Sequence, residues 1–293
     1  MQGQGANKTK DTSLKSSVLS LKSAIHPTAI IHPNAEIGEC VEVGPYSVIG
    51  ENVRIGDDVK IYPHVVIDGW TTIGKGCSIY QFTSIGAPPQ DLKFGGEASE
   101  VIIGENNTIR EFVTINRATS HGGGKTIIGN NNLLMAYVHI AHDCKVGNNV
   151  ILANAATLAG HIEISDHSII GGLVAIHQFA RIGCYSIIGG ASAVTHDIPP
   201  YVMAVGNRAR LYGLNKLGLK RHGFSVDEIK EIKEAYDIIF RSGLMLEEAL
   251  KKVREELKDS KHVNTMIEFI RNSKRGITRP RSKKEEGDET GED

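Results

Sequence analysis

The chain has 293 residues, and its 33 lysines and arginines nearly balance 34 aspartates and glutamates. Bulk charge therefore argues against a nucleic-acid or anionic-membrane surface, and no stretch is long and apolar enough to span a bilayer. Four cysteines (Cys40, Cys77, Cys144, Cys184) include no Cys-x-x-Cys pair, which argues against a disulfide framework and for a reducing, cytoplasmic setting.

Residues 1–22 are rich in Ser, Thr, Lys and Gln and lack the apolar core of a signal peptide, so they read as a disordered leader. From residue 23 to 200 an aliphatic residue returns with a step of six. Ile25, Ile31, Ile37, Val43, Ile49, Ile55, Ile61, Ile67, Ile73, Ile79 and Ile85 form the first block, and Ile128 to Val194 the second. A step of six makes one short flat strand plus a corner, and three such faces make one 18-residue coil of a triangular prism. The aliphatic points inward, so stacked coils bury a continuous column.

The beat is interrupted twice. Between Ile85 and Ile103 it keeps register across a segment with little to bury, which reads as an extruded loop near 87–99. Between Ile115 and Ile128 it slips by one residue around Ser120-His-Gly-Gly-Gly124, which reads as a flexible loop near 116–127. Loops leaving a rigid scaffold are where function concentrates. After Pro199-Pro200 helical signals begin, defining a domain over 201–275. Ser225-Val-Asp-Glu228 is a capping box, Ile229, Ile232, Ala235, Tyr236, Ile239 and Phe240 share one face, and Gly243 is a stop. Two further amphipathic helices are predicted over 246–257 and 263–269. Residues 276–293 end in charge and glycine and read as a disordered tail.

Four histidines fall in the second block: His139, His142, His161 and His177. Counted in 18-residue coils, 142, 160 and 178 stack in one column, with His161 and His177 beside it. Three chemistries fit: a zinc site, a general base with Asp143 as its carboxylate neighbour, and a non-catalytic scaffold. Adjacent strand residues point to opposite faces, so His142 and Asp143 can cooperate only across a corner.

The hexapeptide pattern resembles left-handed parallel β-helices, here followed by a C-terminal α-helical domain. From Ala24 to Arg275 the sequence resembles the acyl-[acyl-carrier-protein]–UDP-N-acetylglucosamine O-acyltransferases, which begin lipid A synthesis. The resemblance rests on Gln90-Asp-Leu-Lys93, Asn131-Asn-Leu-Leu-Met135, His139-Ile-Ala-His-Asp-Cys144, Leu158-Ala-Gly-His161, His177-Gln-Phe179 and Gly218-Leu-Lys-Arg221. It implies a homotrimer with sites between prisms, no metal and no free cofactor, and as partners an acyl carrier protein bearing a 3-hydroxyacyl chain and UDP-N-acetylglucosamine. It assigns His142 as base, Asp143 as its supporting acid and the Gly160 N–H as oxyanion donor. It implies that Asp91 and Lys93 hold the sugar and acyl donor. His139, His161, His177 and Gln178 match sugar, phosphate and acyl contacts, Gly190 an acyl-length ruler, and Asn215 and Arg221 nucleotide contacts. Three positions depart from the family pattern: Arg208, Leu217 and His222 stand where His, Glu and a second Arg are common. Arg208 is expected to restore a cation that His222 supplies only when protonated. The other readings are an acyltransferase for another nucleotide sugar or donor, a zinc lyase like the hexapeptide-class carbonic anhydrases, and a silent trimeric scaffold.

Overall fold

A computed structural model describes residues 23–280. The predicted leader, 1–22, and the tail beyond 280 lie outside the described residues.

Strands of mostly two residues form three parallel sheets of eleven, nine and eight strands. Sheet 1 begins with Ala24–Ile25, sheet 2 with Ile30–Ile31 and sheet 3 with Glu36–Ile37. Most strands pair with one 18 residues away, as Glu42 with Lys60 and His139 with Thr157. The second residue of each strand points inward. Val43, Ile49, Ile61, Ile79, Ile140, Leu158 and Ile176 are all buried, forming one aliphatic column. Burial of that column is the main stabilising term, at roughly 25 cal/mol per Å² of apolar surface.

The corners are equally regular. In most of them one residue sits at φ near +60°, the left-handed region. This region disfavours side chains with a Cβ, yet the corners hold Tyr, Phe, His and Asp whose side chains project outward. Between sheets 1 and 2 they stack as a ladder, Tyr46–His64–Phe82–Phe112–Tyr137, with ring centroids 4.8–5.3 Å apart. The corner between sheets 2 and 3 carries Asp143, His161 and Phe179.

The two interruptions are insertions at this second corner. Trp70 pairs with Glu100, a step of 30 in place of 18, so twelve residues are extruded after Ala87. Glu100 pairs with Lys125, a step of 25, so seven are extruded after Asn116.

The helical boundary differs from the predicted 201. Val202–Val205 adds to sheet 1 in parallel, with Met203 opposite Ile187, and Arg210–Leu214 returns antiparallel on it. Here Val202, Ala204 and Leu211 are buried at a period of two, which a six-residue beat does not detect. Helix α1 spans Lys216–Arg221, α2 Val226–Arg241, α3 Leu246–Glu256 and α4 Lys261–Arg271. The predicted capping box is present at Ser225 and Glu228. Tyr236 of α2 joins the prism core, so this helix plugs the open end. The first residues after the predicted 276 boundary also pair with the prism: Thr278 N donates to Asp197 O at 2.9 Å, and Pro280 bridges Leu211.

Candidate active site

The corner that follows His139–Ile140 supplies the geometry that His142 and Asp143 need. Asp143 takes φ +62°, so its carboxylate turns back onto the neighbouring imidazole. His142 Nδ1 lies 2.8 Å from Asp143 Oδ2, and both residues are buried. A carboxylate only accepts, so Nδ1 carries a proton, and in the neutral ring Nε2 holds the lone pair.

Asp143 is held in turn. Thr119 Oγ1 donates to Oδ2 at 2.7 Å, Thr119 N lies 3.2 Å from both oxygens, and Asp143 N donates to Thr126 Oγ1 at 2.9 Å. Ser120–Gly122, predicted as a flexible loop, is a 3-10 turn capped by Thr119 and packed on this carboxylate. A Cβ at Gly122 would overlap the Asp143 carboxylate. At Gly160 a Cβ would stand 2.5 Å from His142 Cε1 and 2.7 Å from Nε2. The imidazole therefore lies directly on the Gly160 backbone, and among the described residues no backbone carbonyl accepts from the Gly160 N–H.

The other predicted residues divide among the corners. His161 meets His142 edge-on at 5.1 Å and stacks on Phe179 at 4.6 Å. Burial holds its imidazole below the ordinary value, opposed by the Asp143 carboxylate. His139 accepts from or donates to Thr114 Oγ1 at 2.7 Å, and burial lowers its value too. Gln178 lines the same cleft, and the exposed His177 precedes it, with Nδ1 3.1 Å from the Gln178 carbonyl. Asp91 and Lys93 reach the cleft from the first extruded loop. The Lys93 N–H, donating at 2.9 Å, holds the Asp91 carboxyl below its usual range.

Gly190 lies elsewhere, exposed at the corner between sheets 1 and 2, where a Cβ would meet Gly172 O at 3.3 Å. Asn215 is buried as the cap of α1: Oδ1 accepts from Gly218 N at 3.0 Å and Nδ2 donates to Tyr185 O at 2.8 Å. It positions the helix that ends in exposed Arg221. His222 packs its ring against His167 and Tyr185 at 4.9 and 5.2 Å, at the corner between sheets 3 and 1. Arg208 sits in the last hairpin turn, beside the strand edge where Ala209 N donates to Ala193 O at 2.8 Å. Arg208 thus lies next to the sheet 2 edge and His222 at the corner between sheets 3 and 1.

His142, Asp143 and His161 offer ligand atoms within 4.8 Å of one another, spacing that a metal ion could use. Asp143 Oδ2, however, already accepts from Thr119 Oγ1 and His142 Nδ1, so a metal at that oxygen would compete with both donors. The donor set fits an orienting carboxylate better. Cys144, next in sequence, is buried with its thiol pushed up to about 12 by burial, so it is no thiolate nucleophile at neutral pH.

Sequence reasoning missed Thr119, Gly122, Thr126, Glu97, His121 and Phe179. Only the glycine run at 122–124 hinted at a close approach. The rest are brought in by the loops' return path.

A hexapeptide-repeat profile of bacterial transferases matches residues 52–87 and 125–160, and a profile for UDP-N-acetylglucosamine O-acyltransferase domain 2 matches 197–278. Fold and histidine corner thus define a left-handed β-helix acyltransferase. The acyl-[acyl-carrier-protein]–UDP-N-acetylglucosamine O-acyltransferase of Thermodesulfovibrio yellowstonii is 57% identical over 87% of this chain and 99% of its own. That of Myxococcus xanthus is 52% identical with the same coverage. The crystal structure of the Moraxella catarrhalis UDP-N-acetylglucosamine O-acyltransferase superposes with a TM-score of 0.85 at 48% identity, covering 87% of this chain and 99% of that one. The chain belongs to the acyl-[acyl-carrier-protein]–UDP-N-acetylglucosamine O-acyltransferase family.

Proposed function

We propose that this enzyme transfers a 3-hydroxyacyl chain from the thioester of acyl carrier protein to the glucosamine 3-hydroxyl of UDP-N-acetylglucosamine, opening lipid A synthesis in the cytoplasm. The observation that carries the reading is the 2.8 Å contact between Asp143 and His142 Nδ1, with Gly160 against the ring. Nε2 takes the sugar hydroxyl proton as that oxygen bonds to the thioester carbon. The Asp143 carboxylate stabilises the imidazolium that forms. The carbonyl electrons move to oxygen, where the Gly160 N–H donates. Collapse breaks the C–S bond, and the proton on Nε2 passes to the departing thiolate. A general base contributes about 10²–10⁴-fold and one oxyanion donor about 10²–10³-fold. The thioester is already activated, so the balance closes without a cofactor.

In this reading Asp91 and Lys93 hold sugar and donor. The depressed His161 and His139 are neutral at pH 7 and act as hydrogen-bonding groups. His177 and Gln178 extend the same cleft, and Arg221, with Arg208 and His222, serves the nucleotide. Gly190 leaves room for a longer acyl chain.

We take the active form to be a homotrimer. His142 and Gly190 lie at opposite edges of sheet 2, and Arg221 beside the third corner, so one chain cannot gather them around one substrate. A neighbouring copy can. Leu92 and the ladder residues Tyr46, Phe82, Phe112 and Tyr137 are exposed in a single chain, as an interface would require. A panel of acyl-carrier-protein thioesters against UDP-N-acetylglucosamine and its 3-amino analogue tests the reaction. Ester formed on the 3-hydroxyl from a 3-hydroxyacyl donor is expected. Absence of transfer from every donor would remove the reading, and amide formed only on the amino sugar would change the acceptor.

A further inference from the structure

The two extruded loops are tied to each other and to the catalytic carboxylate through a short chain of contacts. Glu97, at the end of the first loop, accepts from Ser120 N and Ser120 Oγ, both at 3.1 Å, and from Gly95 N at 2.9 Å. Its own backbone N–H and that of Ser120 hold its carboxyl down at about 2, so it is ionised throughout the neutral range. The residue before Ser120 is Thr119, fully buried, which donates to Asp143 from both N and Oγ1. At the front of the same turn, His121 Nε2 lies 3.5 Å from Asp91 Oδ2. The first loop also carries Asp91 and Lys93.

We infer that Glu97 is a positioning residue: by clasping Ser120 it makes the substrate-holding loop and the turn that clamps Asp143 one rigid unit, and so sets the orientation of His142. Glu97 itself lies three non-covalent contacts from the base, by way of Ser120, Thr119 and Asp143. Charge-assisted hydrogen bonds of this kind are stronger than neutral ones, and base catalysis is sensitive to small displacements of the base. The inference rests on the reading of His142 as the base, but its structural half can be measured without turnover.

The test compares wild type, Glu97→Ala, Glu97→Gln and Ser120→Ala in the full-length protein. The first readout is the titration of the His142 ring by NMR with ¹⁵N-labelled histidine, the signal being assigned from His142→Gln. The second is steady-state transfer from a 3-hydroxyacyl carrier protein to UDP-N-acetylglucosamine. Glu97→Ala is expected to move the His142 titration midpoint and lower kcat roughly tenfold, less than the ~10²-fold that a full 1 Å misplacement of a catalytic group can cost. Ser120→Ala should do so by less, since the Ser120 N–H remains. Glu97→Gln keeps an acceptor facing Ser120 and should restore most of both. An unmoved His142 titration in Glu97→Ala would overturn the inference, as would a raised sugar KM with unchanged kcat. A shifted His142 titration in Glu97→Ala, together with wild-type protein that transfers no acyl chain, would instead count against the proposed reaction alone.

Discussion

The aliphatic interior of the prism and the two loops that leave it are built by opposite rules. Inside, every contact repeats: Ile140 sits on Leu158 and Leu158 on Ile176, each one coil apart. A substitution there changes how much apolar surface is buried and little else. In the loops nothing repeats. Thr119, Ser120 and Gly122 make contacts that no other coil makes, and these bear on Asp143 or on the loop that faces it. The lesson is that the repeat supplies rigidity, and departure from it supplies the chemistry.

Substitutions can break this division from either side. The largest kinetic effect is expected at His142. His142→Ala should lower kcat by about 10²–10⁴-fold, the usual contribution of a general base, with an unchanged far-UV circular dichroism spectrum. Ile140→Ala, two residues away on the interior side, should do the reverse. It should cost about 2–5 kcal/mol of stability, as cavity-forming substitutions do, while kcat per folded molecule stays near wild type. Denaturant titration beside initial rates separates the two.

Gly160→Ala comes next. Its methyl group would press on the His142 ring, so kcat should fall on the order of 10²-fold, comparable to loss of an oxyanion donor, with a small change in melting temperature. Gly160→Ala at full activity would show that the ring has room to move.

The smallest effect is one of pH. Glu97 is held at about 2 against an ordinary 4.5. A group with a depressed folded value adds stability above its unfolded value and loses it as pH falls through the folded one. The stability difference between wild type and Glu97→Gln should thus be constant above about pH 5 and shrink between 4.5 and 2. A difference independent of pH would mean that the clasp does not depend on charge.

Much of this was legible in the sequence because a repeat turns numbering into geometry. Counting by eighteen put His142, Gly160 and Gln178 in one column, and the stacked corners agree: His161 N donates to His142 O and Phe179 N to Gly160 O. The strands at 202–214 were hidden because their inward period is two. Thr119 and Glu97 were hidden because their partners lie 24 and 23 residues away across an insertion with no period of its own. Asn215 was legible as a position but not in its work, since a buried cap and a ligand contact leave the same letter in the sequence. The family resemblance placed Gly190, Arg221 and His142 in one site, while a single chain keeps them on separate corners.

That separation makes the central claim testable. If each site draws its base from one chain and its nucleotide cation from the next, two inactive variants should complement each other. His142→Ala and Arg221→Ala chains, co-expressed and purified as mixed oligomers through two different tags, should regain a substantial part of wild-type transfer. Each variant alone should remain nearly inactive. Mixed oligomers no more active than the parents would contradict a site shared between copies.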